Sequence, residues 1–198
     1  MIPEQRKAAL YRAVEDFGVF GQLVPARSLR GYQLAPAHAI FESIRTHRGD
    51  QFAVVFSRQA GKDEMLAQLL AFLLLRLSRS GGSAVIAAPT LEPQAMISRD
   101  RLHGYLEAHP FTAQRSRSVG PMVEVGRARA TFVSAGANSG ARGQTATHLL
   151  VANEAQDIAP DTWDAVFDPM AASTNATRFV TAGQRRIPLI RIEGEIGA

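Results

Sequence analysis

Two short segments of this chain carry residues whose types and spacing suit phosphate chemistry. The first is Phe56-Ser57-Arg58-Gln59-Ala60-Gly61-Lys62-Asp63. A Gly-Lys pair between an apolar strand and a helix suits an anion. Backbone N–H groups at the helix start aim at it, glycine permits close approach, and lysine adds a point charge. The segment departs twice from G-x-x-x-x-G-K-[ST]: Phe56 stands at the first glycine, and Asp63 stands where a hydroxyl would hold magnesium. Lysine is scarce elsewhere. Of 22 basic residues, 20 are arginine and only Lys7 and Lys62 are lysine, so the position of Lys62 carries information. The competing reading is a surface lysine with no ligand. The strand–loop–helix setting favours the phosphate reading.

The second segment is Leu149-Leu-Val-Ala-Asn153-Glu154-Ala155-Gln156. An acid just past a buried strand can polarise a water for attack on a phosphoryl group, and Glu154 fits that role. Asn153 stands where a carboxylate would coordinate magnesium. An amide is neutral and a poorer ligand for that hard cation. The competing reading makes Glu154 an ordinary acid at a helix start, favoured by the helix dipole.

Both segments need a scaffold, and the apolar pattern supplies one. Continuous apolar runs at 52–56, 83–88, 147–152 and 178–182 predict strands. Helices are expected at 3–17, at 36–45 with Pro36 in the first turn, at 61–80, at 93–108 and at 160–170, with residues 18–35 as loop. Segments 123–125 and 130–134, flanking Gly126, alternate and predict a β-hairpin. Uninterrupted apolar strands alternating with helices imply a mainly parallel sheet buried on both faces, a three-layer α/β/α sandwich. Ligands in such sheets bind at the carboxyl ends of strands, here the loops at 57–62, 89–92, 153–157 and 181–184.

The chain has 198 residues, 46% hydrophobic and 20% charged, which is ordinary globular composition and ample for a core. It has no cysteine, which excludes a disulfide scaffold, thiol catalysis and Cys-ligated metal sites. The apolar run Leu69–Leu75 is far below the ~20 residues needed to cross a bilayer, and no secretory or transit segment is visible. A soluble intracellular protein is expected, without membrane contact. The histidines at 38, 47, 103, 109 and 148 lack zinc spacing. Asp161, Asp164 and Asp168, with Asp157 before them, are read as a solvated acidic face rather than a nuclease cluster. Arg115, Arg117, Arg127 and Arg129 suit DNA phosphates or a solubilising surface, with the surface reading favoured.

On these motifs the chain resembles the ATPase domain of the phage and prophage terminase large subunit, a P-loop NTPase of the ASCE/RecA-like class. The deviant Walker A form Ser-Arg-Gln-x-Gly-Lys is matched by Ser57 to Lys62, and the strand-end Asp-Glu-Ala by Asn153-Glu154-Ala155. Arg142-Gly143 matches an Arg-Gly before that strand, Tyr32-Gln33 an adenine motif, and Thr181-Ala182-Gly183 a coupling motif. The match runs over residues 28–184.

The resemblance implies ATP and Mg2+ as ligands. Ser57, Arg58, Gln59, Ala60, Gly61, Lys62 and Asp63 would cradle the phosphates, with Arg58 also reaching the γ-phosphate region. Glu154 would be the catalytic glutamate, Arg142 the finger offered to a neighbouring subunit, and Gln33 the reader of the adenine edge. Asp63 and Asn153 are the expected metal positions, with Asp63 supplying the carboxylate that Asn153 lacks. Implied partners are double-stranded DNA, the portal protein and the small terminase subunit. The chain would join a ring when assembled and be monomeric alone. The expected organisation is an N-terminal helix and adenine-motif region at 1–35, the ATPase core at 36–184 and a short tail at 185–198 with no nuclease domain. A piece of a larger protein or a degenerate prophage product is expected. Two alternatives stand beside the motor: a catalytically impaired nucleotide-binding or assembly module, and a superfamily 2 helicase-like ATPase fragment.

Overall fold

The computed structural model describes residues 15–24, 27–57, 59–136 and 143–183. The N-terminal helix expected at 3–17 falls mostly, and the tail at 185–198 wholly, outside the described residues. Seven strands form one sheet: β1 (Gln51–Phe56), β2 (Gly82–Ala88), β3 (Ser116–Val119), β4 (Met122–Val125), β5 (Ala128–Ser134), β6 (Leu149–Ala152) and β7 (Thr177–Gly183). Their order is β1-β7-β6-β2-β5-β4-β3. The first five run parallel, and β4 and β3 extend the sheet antiparallel. The strand β7 therefore lies between the two strands whose carboxyl ends carry the two motifs.

Among the described residues the helices are α1 (Phe17–Leu23), α2 (Gly31–Arg45), α3 (Lys62–Arg76), α4 (Met96–Ala108), α5 (Pro110–Ala113), α6 (Pro160–Thr162) and α7 (Asp168–Ala172). The leucine-rich α3 is buried on every side from Glu64 to Leu75. One side lies on the sheet. The other is closed by α1 and α2, where Phe72 meets Phe17 at 5.3 Å, Phe20 at 5.3 Å and Phe41 at 4.9 Å between ring centroids. Alternation along the strands divides the core in two. In β6, Leu149 and Val151 face the α3 layer, while Leu150 and Ala152 pack with Trp163, Phe167 and Met170 on the opposite face. The fold is thus the expected three-layer α/β arrangement. Among the described residues no helix is long and apolar enough to cross a membrane.

Three elements differ from the sequence expectation. Residues 18–35 are not a loop: α1 occupies 17–23, and Phe17, Phe20, Val24 and Leu29 enter the same core as the sheet. The helix expected to open at Pro36 starts at Gly31, so Pro36 sits inside it. The start is fixed by Gln33, whose Oε1 accepts the Arg30 N–H at 2.8 Å and so satisfies a donor that helix geometry leaves open. The helix expected over 160–170 is broken into α6, a wide turn at Trp163–Phe167 and α7. The hairpin about Gly126 is present and gains β3 as a third strand.

Candidate nucleotide site

The chain leaves β1 at Phe56 and turns so that the Ala60 N–H donates to the Ser57 carbonyl at 3.1 Å. Gln59 (φ 61°) and Gly61 (φ 80°) adopt left-handed backbone. Glycine is required at 61 for two reasons. Its φ disfavours any side chain, and a Cβ there would lie 2.4 Å from Gln33 Nε2. Gly61 caps α3, so the N–H groups of Lys62, Asp63 and Glu64 have no acceptor within the helix. Those donors and the positive end of the helix dipole face a cleft of about 570 Å³, lined by Ser57, Gln59–Glu64, Gln94, Arg101, Glu154, Gln156 and Asp157.

Lys62 and Glu154 meet across this cleft. Lys62 Nζ donates to Glu154 Oε1 in a short ion pair and lies 3.4 Å from both Asp63 carboxylate oxygens. Glu154 Oε2 accepts from Gln156 Nε2 at 2.7 Å. The Glu154 backbone is itself left-handed (φ 56°), an uncommon state for a residue with a side chain. It is held from β7: the Glu154 N–H donates to Thr181 Oγ1 at 3.3 Å. Thr181, fully buried, in turn donates to Asn153 Oδ1 at 2.7 Å. The Asn153 amide donates to Asp63 Oδ1 at 3.3 Å and to Ser98 Oγ on α4 at 3.2 Å.

Of the residues singled out in the sequence, Ser57, Gln59, Ala60, Gly61, Lys62, Asp63 and Glu154 therefore line one cleft. Arg58 and Arg142 lie outside the described residues. Asn153 differs from its expected place as a metal ligand. It is 4% exposed, lies behind Asp63 and does not line the cleft, because its amide oxygen is turned to Thr181. Gln33 also differs. It is 5% exposed, and while its oxygen caps Arg30 its Nε2 donates to the carbonyls of Ala60 and Gly61, each at 3.0 Å. Both ends of the amide are engaged by the protein, so Gln33 clamps the loop instead of presenting an edge to a base. Tyr32 Oη adds a bond to the Ala60 carbonyl at 3.0 Å. Beside it opens a second, shallower cleft of about 440 Å³, lined by Arg30, Tyr32, Val55, Phe56, Ser57, Gln59 and Ala60.

Sequence reasoning passed over the supports of the cleft. Glu64, 8% exposed, receives Gln68 Nε2 at 2.8 Å and lies 3.3 Å from Arg27 and 3.6 Å from Arg101. Burial, with its bond to Glu64, raises the Tyr105 phenol to about 12, so it stays a neutral donor to that carboxylate. Ser98 and Arg101 lie on α4, joined to the cleft only by folding. No local pattern marked them. The aspartates read as a solvated face are exposed at 157, 161 and 164, whereas Asp168 pairs with Arg178. Of the arginines about the hairpin, Arg117 lies 2.6 Å from Glu124 on the adjoining strand, the Arg115 guanidinium lies 4.3 Å over Phe111 on α5, and Arg127 donates to the Arg79 carbonyl at 3.4 Å.

A parallel sheet with a glycine-capped loop after β1, and a strand inserted between it and the strand bearing the acid, defines an α/β fold of the P-loop type. Solved phage large terminases share this fold. The Thermus phage P74-26 large terminase ATPase domain superposes with a TM-score of 0.66 at 19% identity, over 85% of this chain and 70% of that one. Its arginine-to-alanine variant gives the same values. The HK97 bacteriophage large terminase superposes with a TM-score of 0.64 at 17% identity, over 86% of this chain and 38% of that one. In sequence the chain matches no described family and no curated protein.

Proposed function

We propose that this chain is an ATP-hydrolysing motor domain of the terminase large-subunit type, acting on double-stranded DNA with portal and small-subunit partners in a packaging ring. The observation that carries this reading is the contact between Lys62 and Glu154, residues 92 positions apart, at the carboxyl ends of two strands separated by β7. A phosphate-binding cation and a water-activating acid are the two groups that ATP hydrolysis needs on opposite sides of the γ-phosphate. The fold shared with terminase ATPase domains supports the same reading.

In this mechanism the N–H groups of 62–64 and Lys62 Nζ bind the β- and γ-phosphates, and the incoming anion displaces Glu154 from Lys62. Glu154, still held by Thr181 and Gln156, then accepts a hydrogen bond from the attacking water and orients it in line with the scissile bond. Gln33 and Tyr32 hold the loop by the carbonyls of Ala60 and Gly61. The shallower cleft beside Tyr32 takes the base, which stacks on the exposed phenol ring. Arg58 contacts the γ-phosphate region in cis, and Arg142 serves a neighbouring subunit, where such a finger adds ~10³–10⁵ to the rate. The donor set fits magnesium: Asp63 brings a hard carboxylate oxygen to the cleft beside the phosphate loop. When bound, Mg2+ neutralises charge on the phosphate oxygens. The bacterial host cytoplasm is the setting in which such a motor works.

Steady-state ATP hydrolysis with Mg2+, with and without DNA, tests the proposal. Turnover reduced by about 10²–10⁴ in Glu154→Gln is expected, and a chain that neither binds nor hydrolyses ATP would overturn it. The capping of the Asn153 amide oxygen by Thr181 favours a second reading, a nucleotide-binding module with impaired turnover. ATP binding without hydrolysis would select it.

A further inference from the structure

Asp63 and Asn153 stand on different elements, and their side chains are bonded to each other at 3.3 Å. The amide of Asn153 is fully committed. Its oxygen accepts from Thr181, and its two N–H donors reach Ser98 and Asp63. This network fixes which end of the amide faces Asp63, since the reverse orientation would set oxygen against oxygen. Asp63 is 39% exposed on the cleft side, whereas Asn153 is 4% exposed behind it. A carboxylate at 153 would place two negative groups within hydrogen-bond distance, one of them buried, with Lys62 the one cation among the described residues that pairs with Asp63.

We propose that Asp63 and Asn153 form one charge-matched unit, in which Asp63 is the metal-facing carboxylate of the pair and Asn153 is the neutral positioning residue that aims it. The inference rests on the nucleotide reading above for the identity of the cation. The pairing itself rests on geometry alone. Asn153 is then not a lesion at a catalytic position, and converting it alone to aspartate damages the site instead of repairing it. Exchanging the two side chains restores the balance. Asn at 63 donates to Asp at 153, which also accepts from the hydroxyls of Ser98 and Thr181.

The test is an isosteric cycle in the full chain: wild type, Asn153→Asp, Asp63→Asn, and the double exchange. Thermal midpoints are read in EDTA, and the affinity for a fluorescent ATP analogue is read with and without Mg2+. Asn153→Asp is expected to lower Tm by about 4–10 °C. The double exchange is expected to return to within about 2 °C of wild type. Asp63→Asn is expected to keep its Tm while losing roughly 10–100-fold in the Mg2+-dependent part of nucleotide affinity. A purely structural bond between the two residues would leave that metal dependence intact. The proposal is overturned if the two single changes add without rescue, if Asn153→Asp raises both Tm and Mg2+-dependent affinity, or if Asp63→Asn keeps the full Mg2+ effect. Absence of nucleotide binding in all four proteins would remove the metal-facing role together with the nucleotide reading. The Tm cycle would then decide the charge pairing independently.

Discussion

At the carboxyl ends of β1, β6 and β7, polar side chains reach across elements. Lys62 on α3 pairs with Glu154 after β6, Asn153 bonds to α3, α4 and β7 at once, and Gln33 on α2 holds the loop after β1. Along the antiparallel edge of the same sheet the ion pairing is local, and the contacts that cross elements, such as Arg99 on α4 with Ser118 Oγ at 2.8 Å, are single bonds. Arg117 meets Glu124 on the adjoining strand and Arg115 stacks on Phe111 four residues away. The first region concentrates charge inside a cleft, where each group depends on several others. The second spreads charge over solvent-facing strands, where each pair stands alone. Dependence of this kind is what a binding site requires and a solubilising surface does not. Substitutions in the two regions should therefore differ in reach as well as in size.

The largest effect on nucleotide binding is expected at Lys62. Lys62→Ala removes the cleft's charge-assisted donor to phosphate, worth about 1.5–3 kcal/mol per bond, and should cut ATP-analogue affinity by roughly 10–100-fold in a titration. It also removes the ion pair between Lys62 and Glu154. Glu154→Gln should separate binding from chemistry. Hydrolysis falls by the factor given above, while nucleotide affinity stays level or rises because Lys62 no longer has the Glu154 carboxylate to leave. A parallel loss of affinity would mean that Glu154 builds the loop and does not act on water. Gln33→Ala comes next. It strips the bonds to the Ala60 and Gly61 carbonyls and to Arg30, and a loss of about 1–3 kcal/mol in stability is expected by denaturant titration. Nucleotide affinity should weaken for every base alike, whereas an adenine-selective loss would return Gln33 to base recognition.

In the antiparallel region, Arg117→Ala should cost no more than about 0.5–1 kcal/mol and leave ATP binding unchanged, since the Arg117 side chain is largely exposed. Loss of DNA-stimulated turnover in that variant would turn the edge into a functional surface and dissolve the contrast. The smallest effect is expected at the amino end of β6. Burial, with a contribution from the His47 charge, lowers the His148 pKa below its usual 6.5. The unfolded chain then binds the proton more readily, so stability is complete above about pH 6.5 and declines as pH falls towards the folded-state value. His148→Asn should flatten that slope in thermal melts at acid pH.

The parts of the molecule that were legible beforehand are those set by local pattern. The runs at 52–56, 83–88, 147–152 and 178–182 became β1, β2, β6 and β7 because uninterrupted apolar residues suit strands covered on both faces. Gly61-Lys62 marked the loop because few other contexts call for glycine and a rare lysine at a helix start. Pro36 misplaced the start of α2, since proline is at home in a first turn and the side chain that fixes the actual start, Gln33, gives no signal of its own. The edge strand Ser116–Val119 has no apolar run because it is half solvated. Most hidden were Ser98 and Arg101 as neighbours of the cleft, and the bond by which Thr181, marked only as a strand end and in a coupling motif, holds Asn153. Their place is set by long-range topology, above all by β7 entering between β1 and β6, and no spacing along the chain encodes that.

One measurement reaches the centre of this account: a crystal structure of the chain with Mg2+ and a non-hydrolysable ATP analogue. The account predicts the triphosphate against the N–H groups of 62–64, with Lys62 Nζ moved from Glu154 to phosphate. Glu154 would then be open to a water in line with the γ-phosphate. An analogue bound elsewhere, with the Lys62–Glu154 pair still closed, would contradict it.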